Sequence, residues 1–395
     1  MYDFTTLRPR RGIGASKWQP LERAGVADPD VIPFSIADMD LITAPEIISA
    51  LREAAEFGVY GYTSMDEAYR SAVAGWMRRR HGWEIQPGWI INAFGVVHAV
   101  GQAVQAFTQP GEGVIFQTPA YPPFLRILQA TGRTPLSNPL LRGEQGYTLD
   151  FEALEALCAR PDAKLLLFCS PHNPTGRVWS EEELRRVADI CARNGVLLFS
   201  DEIHFDFIAP VHRHTVLATL DEQTRDNCIV GTSASKTFNL AGLSTANIII
   251  PNDTLRRRFR AKTDGYTGGY TGYFGLTATR TAYEKGEAWL DALLVHLDGN
   301  FRLCREFLAQ RFPSVWVAPW EGTYLLWADF SCLGLTPEEQ ERFMRDEAGL
   351  FLDEGYIFGR EGAGFERMVL ACPRLQLERA LERLDQAAAR RGLPR

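Results

Sequence analysis

The sequence predicts an α/β fold, in which a large domain with a mostly parallel sheet flanked by helices is joined to a smaller α+β domain formed by both termini. Three observations carry this reading. The middle of the chain alternates short apolar runs with longer amphipathic stretches. The runs at 113–117, 164–168, 196–200, 228–231 and 247–250 are nearly continuous in apolar residues, as strands covered on both faces require. After about residue 285 the pattern changes to long helical stretches interrupted by a strand pair within 315–328. A chain of 395 residues exceeds what one core usually serves, ~250 to 300 residues. The expected division is 1–45 for the N-terminal part of the small domain, 46–285 for the large domain and 286–395 for the C-terminal part of the small one.

Between two of the runs, SEEELRRVADICARNG (180–195) opens with Ser180 and Glu183 at capping-box spacing and closes on Asn194-Gly195. Such a helix returns the chain to the same edge of a parallel sheet. Further on, 284–312 reads as one long helical stretch, and helices are expected to begin at Thr336-Pro337 and near Leu375. No repeat of fixed period is present.

The net charge of -7 disfavours a nucleic-acid or anionic-membrane partner. The basic runs Arg78-Arg79-Arg80 and Arg256-Arg257-Arg258 lie in helical patterns and read as solvated faces. Seven cysteines show no C-x-x-C or other metal-ligand spacing, so no metal is expected and buried free thiols are the plainer reading. No apolar stretch approaches the ~20 residues that span a bilayer, and the N-terminus lacks an apolar leader core. A cytoplasmic protein is expected.

In open parallel sheets, ligands bind beyond the carboxyl ends of the strands. The residues that follow the apolar runs are Tyr121, then Asn173, then Asp201 and His204, then Ser233, Ser235 and Lys236. Each has a plain structural explanation: a core tyrosine, an Asn-Pro turn, a capping aspartate, a snorkelling lysine. Gathered on one edge they match the needs of pyridoxal 5'-phosphate. A desolvated lysine amine forms Schiff bases with carbonyls, and a carboxylate keeps the pyridine nitrogen protonated. Asn173 would donate to the ring's phenolic oxygen, and Tyr121 would stack on the ring. Gly95 precedes an amphipathic helical pattern, leaving the amides of Val96 and Val97 free for a phosphate dianion. The hydroxyls of Ser233 and Ser235, flanking the lysine, supply further donors to the same place.

These residues resemble the fold-type I pyridoxal-phosphate enzymes of the class I/II aminotransferase superfamily. Within it the chain looks like the MalY/PatB group of cystathionine β-lyases and related C-S lyases. The stretches that carry the resemblance are IADMD (36–40), CSPHNPTGRVW (169–179), SDEIH (200–204), SKTFNLAGL (235–243), GEAWLDALL (286–294) and ACPR (371–374). The resemblance implies an amino-acid substrate, a homodimer with shared active sites, and Lys236 as the catalytic residue. It also implies Arg374 as the grip on the substrate α-carboxylate, Ala37 as a backbone contact beside it, and Tyr62 reaching the neighbouring subunit's phosphate.

Two departures matter. Ser244 stands where many aminotransferases have a phosphate-binding arginine, eight residues after the lysine, and His204 stands where they have a tyrosine. His204 is open to either a core or a cofactor-contacting role. The Gly/Tyr-rich stretch 264–275 would line the substrate entrance or form a loop. The group resemblance implies α,β-elimination from cystathionine or another cysteine S-conjugate to a thiol, pyruvate and ammonia. The alternatives are an aminotransferase built on the same residues and, further off, a regulatory protein on this fold with little turnover.

Overall fold

The computed structural model describes residues 2–23, 25–26, 31–267 and 270–394. Gly268 and Gly269, in the Gly/Tyr-rich stretch, lie outside them. Seven strands form the large sheet: β1 (Ile90–Ala93), β2 (Gly113–Thr118), β3 (Thr134–Pro139), β4 (Ala163–Cys169), β5 (Leu197–Asp201), β6 (Cys228–Thr232) and β7 (Ala246–Ile249). Their order across the sheet is β1-β7-β6-β5-β4-β2-β3. From β6 to β3 the pairings are parallel, whereas β7 runs antiparallel to both its neighbours.

Successive residues of the central strands enter different cores. Leu166 and Phe168 of β4 and Leu198 of β5 face the layer containing Trp179 and Trp289. Leu165, Leu167 and Phe199 face the layer containing Val100, Ala103 and Val104. A strand with an apolar layer on each side must be apolar at every position, which accounts for the unbroken runs. The two strands missing from the sequence reading lack that signature. Edge strand β3 (TPLSNP) carries two prolines and a partly exposed face, as tolerated only at an edge. β1 is only four residues long.

Six helices frame the site and the small domain: α1 (Val96–Phe107), α2 (Pro122–Ala130), α3 (Glu181–Arg193), α4 (Ala234–Thr237), α5 (Glu287–Arg311) and α6 (Arg374–Arg391). α3 begins with the expected capping box, both reciprocal bonds between Ser180 and Glu183 being present. The small sheet joins β8 (Trp316–Val317), β9 (Leu325–Asp329), β10 (Asp353–Glu354) and β11 (Phe365–Val369) in the order β8-β9-β11-β10.

Ile32 and Phe34, from the N-terminal side, share a core with Leu326, Met368, Leu377 and Leu384. α5 serves two cores in turn. Leu290, Leu293 and Leu297 belong to the large one, and Phe301, Cys304 and Leu308 to the small one. The exchange therefore falls inside the helix, between Leu297 and Phe301, rather than at its start. No helix among the described residues is long and apolar enough to cross a membrane.

Candidate active site

A cavity of about 310 Å³ opens at the carboxyl edge of the large sheet, roofed by the small domain. Strands β2, β4, β5 and β6 are neighbours there, so the residues following them converge. Ala37, Val96, Val97, Tyr121, Asn173, Asp201, His204 and Lys236 all line this cavity. Gly95 stands at the N-cap of α1 with φ +102°, a conformation that glycine alone adopts without strain. It turns the chain so that the first-turn amides of α1, which have no acceptor within the helix, face the cavity end.

The Lys236 amine donates to the Ala37 carbonyl, which also accepts from the Tyr324 hydroxyl at 2.8 Å. No carboxylate lies within ion-pairing distance of that amine among the described contacts. Burial, reinforced by the nearby Arg367 charge, pushes its pKa down to about 8. Asp201 has the opposite imbalance: burial pushes its carboxyl up to about 7, against the Ile203 amide, which donates to it at 3.2 Å. His204 is buried, its pKa held well below the usual range by desolvation first and by the Lys236 and Arg367 charges second. Its Nδ1 has no hydrogen-bond partner. An uncompensated amine, a carboxyl that gains a proton, and an orphaned ring nitrogen around one cavity are costly for folding, and such clusters mark functional sites.

The loop that carries Ala37 is fixed from several sides. Ile36 has φ +51°, a strained conformation for a β-branched residue, and its amide donates to Asp353 Oδ2 at 3.0 Å. Lys17 is fully buried and donates to Asp40 Oδ2 at 3.0 Å and to the Asp38 carbonyl at 2.9 Å. Arg10 pairs with Asp38 at 2.7 Å and Asp40 at 3.1 Å. Burial works to raise the Asp38 pKa, but the hydrogen bonds and charges of Arg10 and Lys17 outweigh it and hold it low. Nothing in the residue types of 10 and 17 signals this clamp, because both partners lie more than twenty residues away.

Some expected residues stand elsewhere. Arg374 does not line the cavity. It is the first residue of α6 and packs against Gly299 of α5, where an added Cβ would meet its guanidinium at 2.3 Å. The buried arginine of the cavity is Arg367, on β11, whose Nη1 donates to Asn173 Oδ1 at 2.8 Å and whose Nε and Nη2 both donate to Asp353. The alternation of the strand explains the difference. Arg367 sits in a strand pointing at the large domain, whereas residue 374 has passed the strand end and turned into a helix. With Oδ1 of Asn173 taken by Arg367, the amide Nδ2 is its free donor.

Ser233 is fully buried and caps α4: its Oγ donates to the Thr245 carbonyl at 2.6 Å and accepts from the Ser235 amide at 2.9 Å. That hydroxyl is committed to the backbone and is no phosphate donor in this arrangement. Ser235 is half-buried beside it and, like Ser244, is not among the residues lining the cavity. Tyr62 is 90% exposed, its ring 4.7 Å from that of Tyr270, and it also lies off this cavity.

A layered sheet of this order with a desolvated lysine beyond one strand and a carboxyl at the end of the next defines a class. The sequence model for "Aminotransferase class I and II" matches residues 29–384, and the chain belongs to that family. Among its relatives, cystathionine beta-lyase PatB of Bacillus subtilis (strain 168) is 38% identical over 98% of this chain and 99% of its own length. Protein MalY of Escherichia coli (strain K12) is 34% identical over 98% and 99%. Among solved structures, cystalysin from Treponema denticola, which contains a pyridoxal 5'-phosphate cofactor, superposes with a TM-score of 0.96 at 42% identity, covering 99% of both chains.

Proposed function

We propose that this chain is a pyridoxal-phosphate-dependent C-S β-lyase, which converts cystathionine or a related cysteine S-conjugate and water to a thiol, pyruvate and ammonia. The observation that carries the reading is the desolvated Lys236 amine, with no carboxylate paired to it among the described residues, in a cavity that also holds Asp201 and Asn173. The full-length similarity to cystathionine β-lyases supports the reaction type. The donor set fits the cofactor. Asp201 would hold the ring nitrogen, the Asn173 amide would donate to the phenolic oxygen, Tyr121 would offer a ring face, and the amides at Val96 and Val97 would hold the phosphate. His204, whose Nδ1 has no partner among the described residues, lines the same cavity and would border the bound group.

When bound, pyridoxal phosphate supplies the electron sink that stabilises negative charge at the substrate α-carbon. The chain supplies the rest. Arg367, already held by Asp353, presents a charged planar group to the substrate α-carboxylate. The Lys236 amine, with its pKa near 8, is partly neutral at physiological pH and takes the α-proton. The Ala37 carbonyl, itself held by the Tyr324 hydroxyl, accepts from that amine and orients it while it is free. Tyr62, exposed in one chain, serves the phosphate of a second subunit in a homodimer.

The test uses purified protein loaded with the cofactor and given cystathionine or cystine without a keto-acid acceptor. Pyruvate and thiol should appear in equal amounts. Conversion that starts only when an acceptor is added would instead establish transamination.

A further inference from the structure

We infer that Arg126 selects the substrate: it reads an anionic group at the far end of the sulfur substituent, so the preferred substrates are cysteine S-conjugates whose leaving thiol carries a carboxylate. This rests on the lyase reading above and goes beyond it by assigning the residue that distinguishes leaving thiols with a carboxylate from those without one.

The cavity is chemically graded. Its inner end holds Lys236, Asp201 and His204. Its lining also includes Ile36, Val97 and Ile357, apolar residues that are nonetheless 38%, 37% and 40% exposed. They form a collar through which a sulfur substituent must pass, and an alkyl chain suits it. Arg126 lines the same cavity and is exposed, which places it at the mouth. It stands one helical turn after Pro122 on α2, so Pro122, Pro123 and Arg126 share the face turned to the cavity.

The cations of the cavity differ in what they already hold. Arg367 is engaged by Asp353 and Asn173, and Lys236 by the Ala37 carbonyl. Arg126 makes no ion pair or hydrogen bond among the described residues. The two carboxyls that share the cavity are Asp201, at its inner end, and Asp353, bonded to Arg367. A guanidinium at the mouth, with no acid among the described residues paired to it, is complementary to a planar anion arriving with the substrate.

Two measurements test this on the cofactor-loaded enzyme. The first is calorimetric binding of L-2-aminoadipate and of its side-chain amide, neither of which has a sulfur to lose. The wild type should bind the acid about tenfold more tightly than the amide, an advantage that added salt reduces and Arg126→Gln abolishes. Arg126→Lys should keep most of it. The second is kcat/KM for thiol release from S-(2-carboxyethyl)-L-cysteine against S-(2-carbamoylethyl)-L-cysteine, whose ratio should fall about tenfold in Arg126→Gln while the amide substrate stays within twofold. Equal binding of acid and amide by the wild type, or a preference that survives Arg126→Gln, overturns the inference even if thiol is released. A binding preference that depends on Arg126 without thiol release from either compound supports the inference and overturns the lyase reading.

Discussion

Two lysines serve one loop and are treated in opposite ways. Lys17 and Lys236 donate to consecutive backbone carbonyls, those of Asp38 and Ala37. Lys17, fully buried, is surrounded by Asp38 and Asp40 at 3.1 and 3.0 Å, with Arg10 completing a four-charge cluster. Lys236 has no carboxylate partner among the described residues and its pKa falls to about 8. The compensated lysine holds the loop as a fixed cation. The uncompensated one keeps a reactive amine. Desolvation alone therefore does not mark a catalytic lysine; desolvation without a counter-charge does.

The sharpest break in this comparison is at Lys236. Lys236→Ala should lower thiol release by at least about 10³-fold, within the range expected on removing a proton-transferring group. The same variant should lose the visible absorption of the lysine-linked cofactor while keeping its thermal stability or gaining some, because an amine that is costly to bury has been removed. Lys17→Met should do the reverse in stability. It leaves Asp38 and Asp40 short of a buried cation, at a cost of about 3–5 kcal/mol, read from denaturant unfolding. Should Lys17→Met leave the midpoint unchanged, the cluster is not the clamp described above.

Much of this was legible in the sequence, and what was not has physical causes. The central strands and the residues after them could be read because a doubly covered sheet forces unbroken apolar runs, and its polarity places the next residues on one edge. The Arg10–Lys17–Asp38–Asp40 cluster is formed by tertiary contacts between segments that each look like ordinary polar loop. Ser233 reads as a donor in sequence, yet its hydroxyl is consumed by capping α4 and by Thr245. Arg367 and Arg374 lie seven residues apart around a strand end, and only the turn from β11 into α6 decides which one faces the cavity.

That pair gives a smaller, cleaner contrast. Arg367→Lys keeps the charge but removes the fork held by Asp353 and Asn173. It should raise KM for an amino-acid substrate by tens- to a hundredfold, equivalent to about 2–3 kcal/mol of charge-assisted bonding. Arg374→Lys should change KM less than twofold. A result in which residue 374 is the sensitive one would relocate the carboxylate grip.

The smallest effect concerns pH and the cofactor-free protein. Asp201 is raised from 3.8 to about 7 on folding, so the folded chain holds a proton that the unfolded chain has released, and stability falls as pH rises between those values. Lys236 is lowered from 10.5 to about 8, so the unfolded chain holds the extra proton, and stability rises as pH climbs from about 8 to 10.5. The two limbs leave a trough between about pH 7 and 8. Each limb should amount to about 2 kcal/mol, since one unit is worth about 1.4 kcal/mol and buried sites relax by admitting water. Asp201→Asn should remove the acidic limb alone and Lys236→Met the basic limb alone. Lys17→Met should remove neither, because the trough comes from the uncompensated groups of the cavity and not from the paired charges behind the loop. Loading the cofactor should fill the trough, because it gives Asp201 a cationic partner and takes up the free amine. A stability curve of the same shape with and without cofactor would separate these two groups from the site assigned to them.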